Sequence, residues 1–121
     1  MTDDLYERGM RVRREVLGDE HVERASARSS AFQEFITRCA WGEIWSRPGL
    51  DRRIRSCITV ATLVALGRFD ELELHIHAAR RNGLTREEIE EVLLHAAVYC
   101  GFPAANSAFH VFERAFADDA G

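Results

Sequence analysis

The chain has 121 residues, of which 46% are hydrophobic and 30% are charged, and its formal net charge is −4. This length predicts one globular domain, and the apolar residues spread along the chain argue against disorder. The negative charge argues against a nucleic-acid partner, which favours a basic face. No apolar stretch approaches the ~20 residues of a membrane span, and the N-terminal sequence lacks a signal-peptide pattern. We therefore expect a cytoplasmic protein without a membrane partner.

Turn residues divide the chain into about six predicted helices, and no alternating strand pattern competes with them. The first helix is predicted over about 3–17 and ends at Gly18. Its apolar stripe is thin, so we expect this helix to be peripheral or to face a partner. Residues 18–28 are polar and show no clear pattern. We accordingly divide the chain into an N-terminal helical arm and connection, 1–28, and a helical domain, 29–117.

The second helix is predicted to start near Ser29 or Ser30. Its helical spacing predicts one buried face, formed by Phe32, Phe35, Ile36 and Cys39. The third helix has Asp51 as a plausible N-cap and Gly67 as its end. Between 54 and 66 this helix is apolar on most sides, which is typical of burial in a core or between subunits.

Two capping boxes are predicted in the second half of the chain. Asp70 with Glu73 would begin the fourth helix, which ends at Gly83. Thr85 with Glu88 would begin the fifth helix. The buried stripe predicted for the fifth helix consists of Ile89, Val92, Leu93, Ala96 and Cys100.

The fifth helix is predicted to end at Gly101, and Pro103 suits the first turn of a sixth helix ending near Phe116. The three cysteines are widely separated and form no CxxC pair, so neither a zinc site nor a dithiol is expected. Each cysteine lies within an apolar helical pattern, which predicts a small buried hydrophobic side chain. They are Cys39, Cys57 and Cys100.

A helical wheel of the fourth helix shows two glutamate–histidine pairs at i, i+4 spacing. Glu71 and His75 fall between apolar flanks and face the core, whereas Glu73 and His77 face solvent or a neighbouring subunit. A half-buried histidine beside a carboxylate can exchange a proton near neutral pH. The alternatives are a core histidine bonded to a capping acid for the first pair and a solvated pair for the second. Histidines two residues apart point away from each other on a helix, so no metal site is expected.

Arginines crowd the first turn of the third helix, where the helix dipole disfavours positive charge. This conflict suggests that they hold an anion, with Arg53 at the edge of the buried arc and Arg55 to its side. A solvated run of charges is the alternative. Trp41 and Trp45 either wall a pocket or pack in the core, and Tyr99 has the same two interpretations.

Several spaced segments resemble the carboxymuconolactone decarboxylases. They are 41–53, Glu71-Leu72 with His75, 82–85, 87–89 and 99–106, within a stretch of roughly 30–113. The resemblance implies an all-helical, alkylhydroperoxidase D-like fold that assembles into homo-oligomers, either hexamers or trimers. The peroxidase branch of that superfamily has a CxxC dithiol before a helical histidine. Because Arg68 and Glu71 occupy those two positions here, the resemblance implies the decarboxylase branch.

The activity implied by the resemblance is a cofactor-free carboxy-lyase of aromatic (β-ketoadipate) catabolism. It would convert 4-carboxymuconolactone, a lactone dicarboxylate, to 3-oxoadipate enol-lactone in protocatechuate breakdown. Neither a cofactor nor a metal is expected. The alternatives are a same-fold enzyme with another small substrate, including a thiol-dependent peroxide reductase, and a non-enzymatic oligomeric binding protein.

The resemblance also implies roles for individual side chains. His75 would donate a proton or stabilise the dienolate, and Glu71 would orient His75 or share the proton transfer. The predicted substrate contacts come from four further residues. They are Arg53 and Arg55 as carboxylate ligands, Trp45 as a pocket wall, and His77.

Overall fold

The computed structural model describes residues 4–28 and 30–117. Across these residues the chain forms seven α-helices and one π-helical segment, with no strand, so the predicted all-α class is confirmed. No helix in this part of the chain is long and apolar enough to cross a membrane. Contacts group the chain into two compact units, Met1–Arg52 and Arg53–Gly121. The boundary we expected after residue 28 stays a prediction.

The first unit contains four helical elements in chain order. They are α1 (Asp4–Leu17), α2 (Asp19–Ser26), α3 (Ser30–Ile36) and the π-helical segment (Thr37–Trp45). Two glycines bring α1 against the π-helical segment. A Cβ on Gly42 would lie 2.5 Å from the carbonyl oxygen of Leu5, and one on Gly9 would overlap the carbonyl of Thr37. Since only glycine permits this approach, α1 is packed closely within its own unit. The expectation that it is peripheral or faces a partner stays a prediction.

Helix α2 lies within the stretch that we expected to be irregular. Only Val22 and Ala25 of this helix are buried, so its apolar pattern is too short to reveal a helical period. The helix is held to α1 by Arg14, which donates hydrogen bonds to Asp19 at 3.1 Å and to Glu23 at 2.8 Å. Two buried apolar side chains and the ion pairs of Arg14 therefore hold this segment in place.

The buried face predicted for the second helix is wrong within the first unit. Helix α3 contains no buried residue, and Phe32, Phe35 and Cys39 are all exposed. Burial begins in the π-helical segment, where Trp41 is a core residue. The wider turn of a π-helix changes which residues share a face, so the α-helical spacing does not extend to Cys39. Phe32 and Phe35 lie in the α-helical part, and their exposure within this unit has no such explanation. A start at Ser29 lies outside the described residues.

The second unit is built from helices that enclose one hydrophobic core. They are α4 (Arg52–Leu66, whose first residue ends the first unit), α5 (Phe69–Arg81), α6 (Arg86–Cys100) and α7 (Phe102–Phe116). Gly67, Gly83 and Gly101 have φ values of 71°, 99° and 95°, and they follow α4, α5 and α6 as predicted. Pro103 lies in the first turn of α7, also as predicted.

One of the two predicted capping boxes is present. The Thr85 hydroxyl accepts a hydrogen bond from the Glu88 backbone N–H at 3.1 Å, and the Glu88 carboxylate accepts one from the Thr85 N–H at 2.8 Å. The Asp70 cap is wrong, because α5 already begins at Phe69 with Arg68 in the cap position. A backbone hydrogen bond from Leu72 to the Arg68 carbonyl, 2.9 Å long, draws Asp70 inside the helix.

Helix α4 is buried along one stripe only. Ser56, Val60 and Val64 form the stripe, whereas Ile58 and Leu66 are exposed. The prediction that α4 is buried on most sides is therefore wrong within its own unit. The other interpretation, burial of the remaining apolar residues between subunits, stays a prediction.

Candidate active site

Four buried residues fix the rotation of α5 in the second unit. They are Leu72, Ile76, Ala78 and Ala79, each 0% exposed. These are apolar positions that the helical wheel assigned to the flanks of the Glu71–His75 pair. Because the flanks are buried, the side chains of Glu71 and His75 emerge at the edge of the core, and both are half-buried.

Glu71 lies in the first turn of α5, and its carboxylate accepts a hydrogen bond from the Arg68 guanidinium. This bond is the main cause of a pKa for Glu71 below its ordinary value of 4.5. A backbone hydrogen bond and the nearby charges of Arg68 and His75 lower the pKa further. Glu71 is therefore an ionised carboxylate at neutral pH.

His75 follows Glu71 by one helical turn, and its Nδ1 atom is shielded from solvent. Its effect on the pKa of Glu71 shows that the two side chains interact electrostatically. The structure thus brings the predicted catalytic pair together. The side-chain hydrogen bond to Glu71 comes from Arg68, whereas the interaction of Glu71 with His75 is electrostatic.

The second pair has a different set of neighbours. Glu73 accepts a hydrogen bond from the Arg114 Nε atom of α7 at 2.9 Å. The Glu73 side chain is 35% exposed and the Glu71 side chain is 43% exposed, so the expected contrast in their burial is wrong. His77 lines an open pocket of 580 Å³ at the C-terminal end of α5.

Arg53 connects the start of α4 to the loop between α5 and α6. Its guanidinium donates to the Gly83 carbonyl and, at 2.5 Å, to the Glu88 carboxylate. This partner is the main cause of a lowered pKa for Glu88. At 1.5 Å rise per residue, Gly83 lies roughly 15 Å or more along the helix axis from Glu71. Within one chain, the bond to Gly83 therefore holds Arg53 away from Glu71.

Arg55 and Asn82 lie near the same end of α5. The Asn82 side chain donates a hydrogen bond of 2.8 Å to the hydroxyl of Ser56, which is 1% exposed, and so joins α4 to α5. Arg55 is half-buried, with its Nε atom shielded from solvent. No sequence signal connected Asn82 to Ser56, which lies 26 residues away.

Trp41 and Trp45 stack on each other in the first unit, with ring centroids 5.0 Å apart. Trp41 is buried in the core, and Trp45 lines an open pocket of 480 Å³ together with Arg8, Arg11 and Arg47. Both interpretations are thus correct, one for each tryptophan. Core packing is wrong for Tyr99, whose side chain is 79% exposed, and its role as a pocket wall stays a prediction.

The three cysteines do not form a disulfide with one another in the described part of the chain. Cys57 and Cys100 are partly buried. The expectation of burial is wrong for Cys39, which is exposed. Over residues 4–28 and 30–117, no group of three His, Cys, Asp or Glu side chains could hold a metal ion.

Comparison with known proteins agrees with the resemblance of the spaced segments. Residues 30–114 match the profile of the carboxymuconolactone decarboxylase family. The chain is 50% identical over 120 residues to a 4-carboxymuconolactone decarboxylase of Acinetobacter baylyi, covering 96% of this chain and 90% of that protein. It is 44% identical over 118 residues to a nitrosuccinic acid decarboxylase of Metarhizium robertsii, covering 94% and 82%. The chain therefore belongs to the carboxymuconolactone decarboxylase family.

Proposed function

We propose that this protein decarboxylates 4-carboxymuconolactone to 3-oxoadipate enol-lactone without a metal or organic cofactor. The observation that carries the proposal is the His75 imidazole beside the ionised Glu71 carboxylate, which accepts a hydrogen bond from Arg68. The identity of 50% with a 4-carboxymuconolactone decarboxylase over 96% of the chain supports the choice of substrate.

The substrate can accept the electrons that decarboxylation releases. Loss of CO2 breaks the bond between the carboxylate carbon and the ring, and the bonding electron pair stays on the ring. That pair delocalises through the ring double bond into the lactone carbonyl, giving a dienolate. One proton delivered to carbon completes the reaction, so the protein has to bind anions, stabilise the dienolate and supply that proton.

The lowered pKa of Glu71 divides these tasks between the two side chains. An ionised carboxylate cannot donate a proton, but it favours the protonated form of a neighbouring imidazole. We therefore assign His75 as the proton donor and Glu71 as the carboxylate that promotes its protonation. Arg68 acts as a positioning residue, because it acts through Glu71.

The predicted substrate contacts are reassigned in part. Arg55 and Trp45 stay predicted contacts with the substrate, whereas His77 lines a pocket that His75 does not line. Arg53 already donates to Gly83 and Glu88, so we propose that it positions the start of α6 rather than a substrate carboxylate. A location in the cytoplasm also stays a prediction.

Assembly with copies of the same chain, as a hexamer or a trimer, is part of the proposal. Large apolar side chains are exposed on the second unit, among them Val98 at 74%, Tyr99 at 79% and Phe102 at 81%. Exposed apolar groups of this size are typical of interaction surfaces. Sedimentation equilibrium of the purified chain measures the assembly directly, and a monomer at micromolar concentration would contradict it.

The reaction is tested by incubating chelator-treated protein with 4-carboxymuconolactone while substrate absorbance and released CO2 are measured. We expect one CO2 for each enol-lactone formed. A variant carrying C39A, C57A and C100A should keep this activity, because no thiol takes part. Folded protein that releases no CO2 would contradict the proposal, and turnover lost only in the cysteine variant would favour a thiol mechanism.

A second substrate is worth the same assay because of the relative that acts on nitrosuccinic acid. A nitro group can also accept the electron pair that decarboxylation releases, so the same pair of side chains could serve both reactions. The ratio of kcat/KM for the two compounds identifies the preferred substrate. We expect the ratio to favour 4-carboxymuconolactone.

A further inference from the structure

The pocket lined by His77 is strongly basic, although the protein as a whole is acidic. Seven residues line it: His77, Arg80, Arg81, Leu84, Thr85, Arg86 and Phe116. Three are arginines, one is a histidine and none is an aspartate or glutamate. The whole chain has 20 acidic residues and 16 lysines and arginines, so the pocket is positively charged although the chain carries a net negative charge. We call this site the arginine pocket.

Aromatic rings hold two of the arginines in place. The guanidinium carbon of Arg80 lies 4.8 Å from the centroid of the Phe116 ring, and that of Arg86 lies 5.3 Å from the same centroid. Arg86 also lies 5.4 Å from the Phe112 ring. Stacking restricts a guanidinium while its N–H groups remain able to donate hydrogen bonds. The two cationic groups are thus kept within about 10 Å of each other.

Carboxylates do not neutralise all of this charge. Among residues 4–28 and 30–117, neither Arg81 nor Arg86 forms an ion pair. Arginines elsewhere do pair with carboxylates, for example Arg14, Arg52, Arg53 and Arg114. The arginine side chains repel one another at short distance. An anion that enters the pocket relieves this repulsion and is attracted by several cations at once.

The N-terminus of α6 adds donors to the same site. Thr85 is the N-cap and Arg86 is the first residue of this 15-residue helix. Backbone N–H groups in a first helical turn have no partner within the helix, and the helix dipole is positive at this end. The Glu88 N–H is already bound by the Thr85 hydroxyl, so the N–H groups that precede it are the ones left for a ligand. These donors favour a bound oxyanion and add to the positive charge of the arginines.

The arginine pocket lies on a different face of α5 from the catalytic pair. His77 follows His75 by two residues, which rotates its side chain by about 200° around the helix axis. Arg80 and Arg81 follow His77 by three and four residues and therefore share its face. His75 does not line the pocket.

We propose that the arginine pocket binds a small dianion, either a dicarboxylate or a phosphate, at a site separate from the Glu71–His75 pair. Two planar guanidinium groups suit both ligands, since carboxylate and phosphate oxygens accept paired hydrogen bonds from arginine. The proposal does not depend on the decarboxylase reaction. Binding can be measured with ligands that the enzyme does not convert.

The test is calorimetric titration of the full chain with succinate and, separately, with inorganic phosphate, at constant ionic strength in chloride. We expect saturable binding of at least one dianion, and the arm that saturates identifies the ligand group. The variant R81Q/R86Q should lower the affinity by about tenfold or more, because each lost charged hydrogen bond weakens binding. The matched control R24Q/R28Q removes the same charge from the first unit and should bind like the wild type.

Further variants keep the proposal open to contradiction. If R81Q/R86Q does not fold, R81Q alone serves, because Arg81 has no described stacking or ion-pair contact to lose. H75Q should bind the dianion normally, since His75 faces elsewhere. Absent binding in both titrations, an equal loss in R24Q/R28Q, or a loss in H75Q would each overturn the proposal.

Discussion

The two glutamate–histidine pairs of α5 have the same spacing and different surroundings. Glu71 receives its hydrogen bond from Arg68, three residues earlier, and interacts electrostatically with His75. Glu73 receives its hydrogen bond from Arg114 of α7, and His77 lies at a pocket of arginines. One face of the helix therefore suits proton transfer, while the other suits anion binding.

This difference shows that an i, i+4 spacing does not by itself define a chemical unit. Each carboxylate interacts with the cation that the fold brings closest. For Glu71 that cation is Arg68, which lies three residues earlier in the chain, and His75 also interacts with the Glu71 charge. For Glu73 the partner comes from another helix, 41 residues away, which draws the carboxylate toward α7.

The largest effect that would distinguish the two faces is expected for H75Q. Glutamine keeps a polar side chain but cannot deliver a proton at neutral pH, so kcat should fall by about 10²–10⁴-fold. The matched control is H110Q, on an exposed histidine of α7, which should turn over substrate like the wild type. Steady-state decarboxylation rates of both variants measure the contrast. Full activity of H75Q would contradict the assignment of His75 as the proton donor.

A smaller effect is expected for E71Q, and E73Q is its matched control. Loss of the Glu71 carboxylate removes the negative charge beside the assigned proton donor, so kcat should fall by about tenfold, a smaller loss than removal of the donor itself. E73Q loses only a bond to Arg114 on an exposed surface and should keep kcat. The same decarboxylation assay compares the two. Equal losses in both variants would contradict the separation of the faces.

The smallest effect at neutral pH is expected for R68Q. Removal of the Arg68 hydrogen bond should raise the pKa of Glu71 toward 4.5, while Glu71 stays ionised at pH 7. The depressed pKa in the folded wild type stabilises the fold above pH 4.5, and this contribution is lost as pH falls through the folded-state pKa. In R68Q the acid limbs of both activity and stability should therefore begin at higher pH.

Carboxyl-carbon NMR titration of Glu71 and acid unfolding followed by circular dichroism measure the change caused by R68Q. An R114Q variant serves as the control, since Arg114 contacts Glu73 and not Glu71. Its Glu71 titration should match that of the wild type. A Glu71 pKa that is the same in R68Q and the wild type would show that Arg68 does not set it.

Local signals predicted much of the second unit. Three kinds of signal depend only on residues a few positions apart. They are the glycines that follow the helices, the Thr85–Glu88 capping box, and the apolar stripes of α5 and α6. Predictions failed where a single helical period did not apply. The π-helical segment changed which residues are buried after Ile36, and α2 has too few apolar residues to show a period.

The sequence by itself determined the all-helical class, the family and the position of Glu71 one turn before His75. These depend on residue order and helical spacing, which do not require knowledge of distant contacts. Only the tertiary structure decided the partners of the charged side chains: Arg53 with Glu88, Arg114 with Glu73, and the stacking of Arg80 and Arg86 on Phe116. These partners are separated by 30 or more residues, and charge pairing at that separation follows from helix packing rather than from any local pattern.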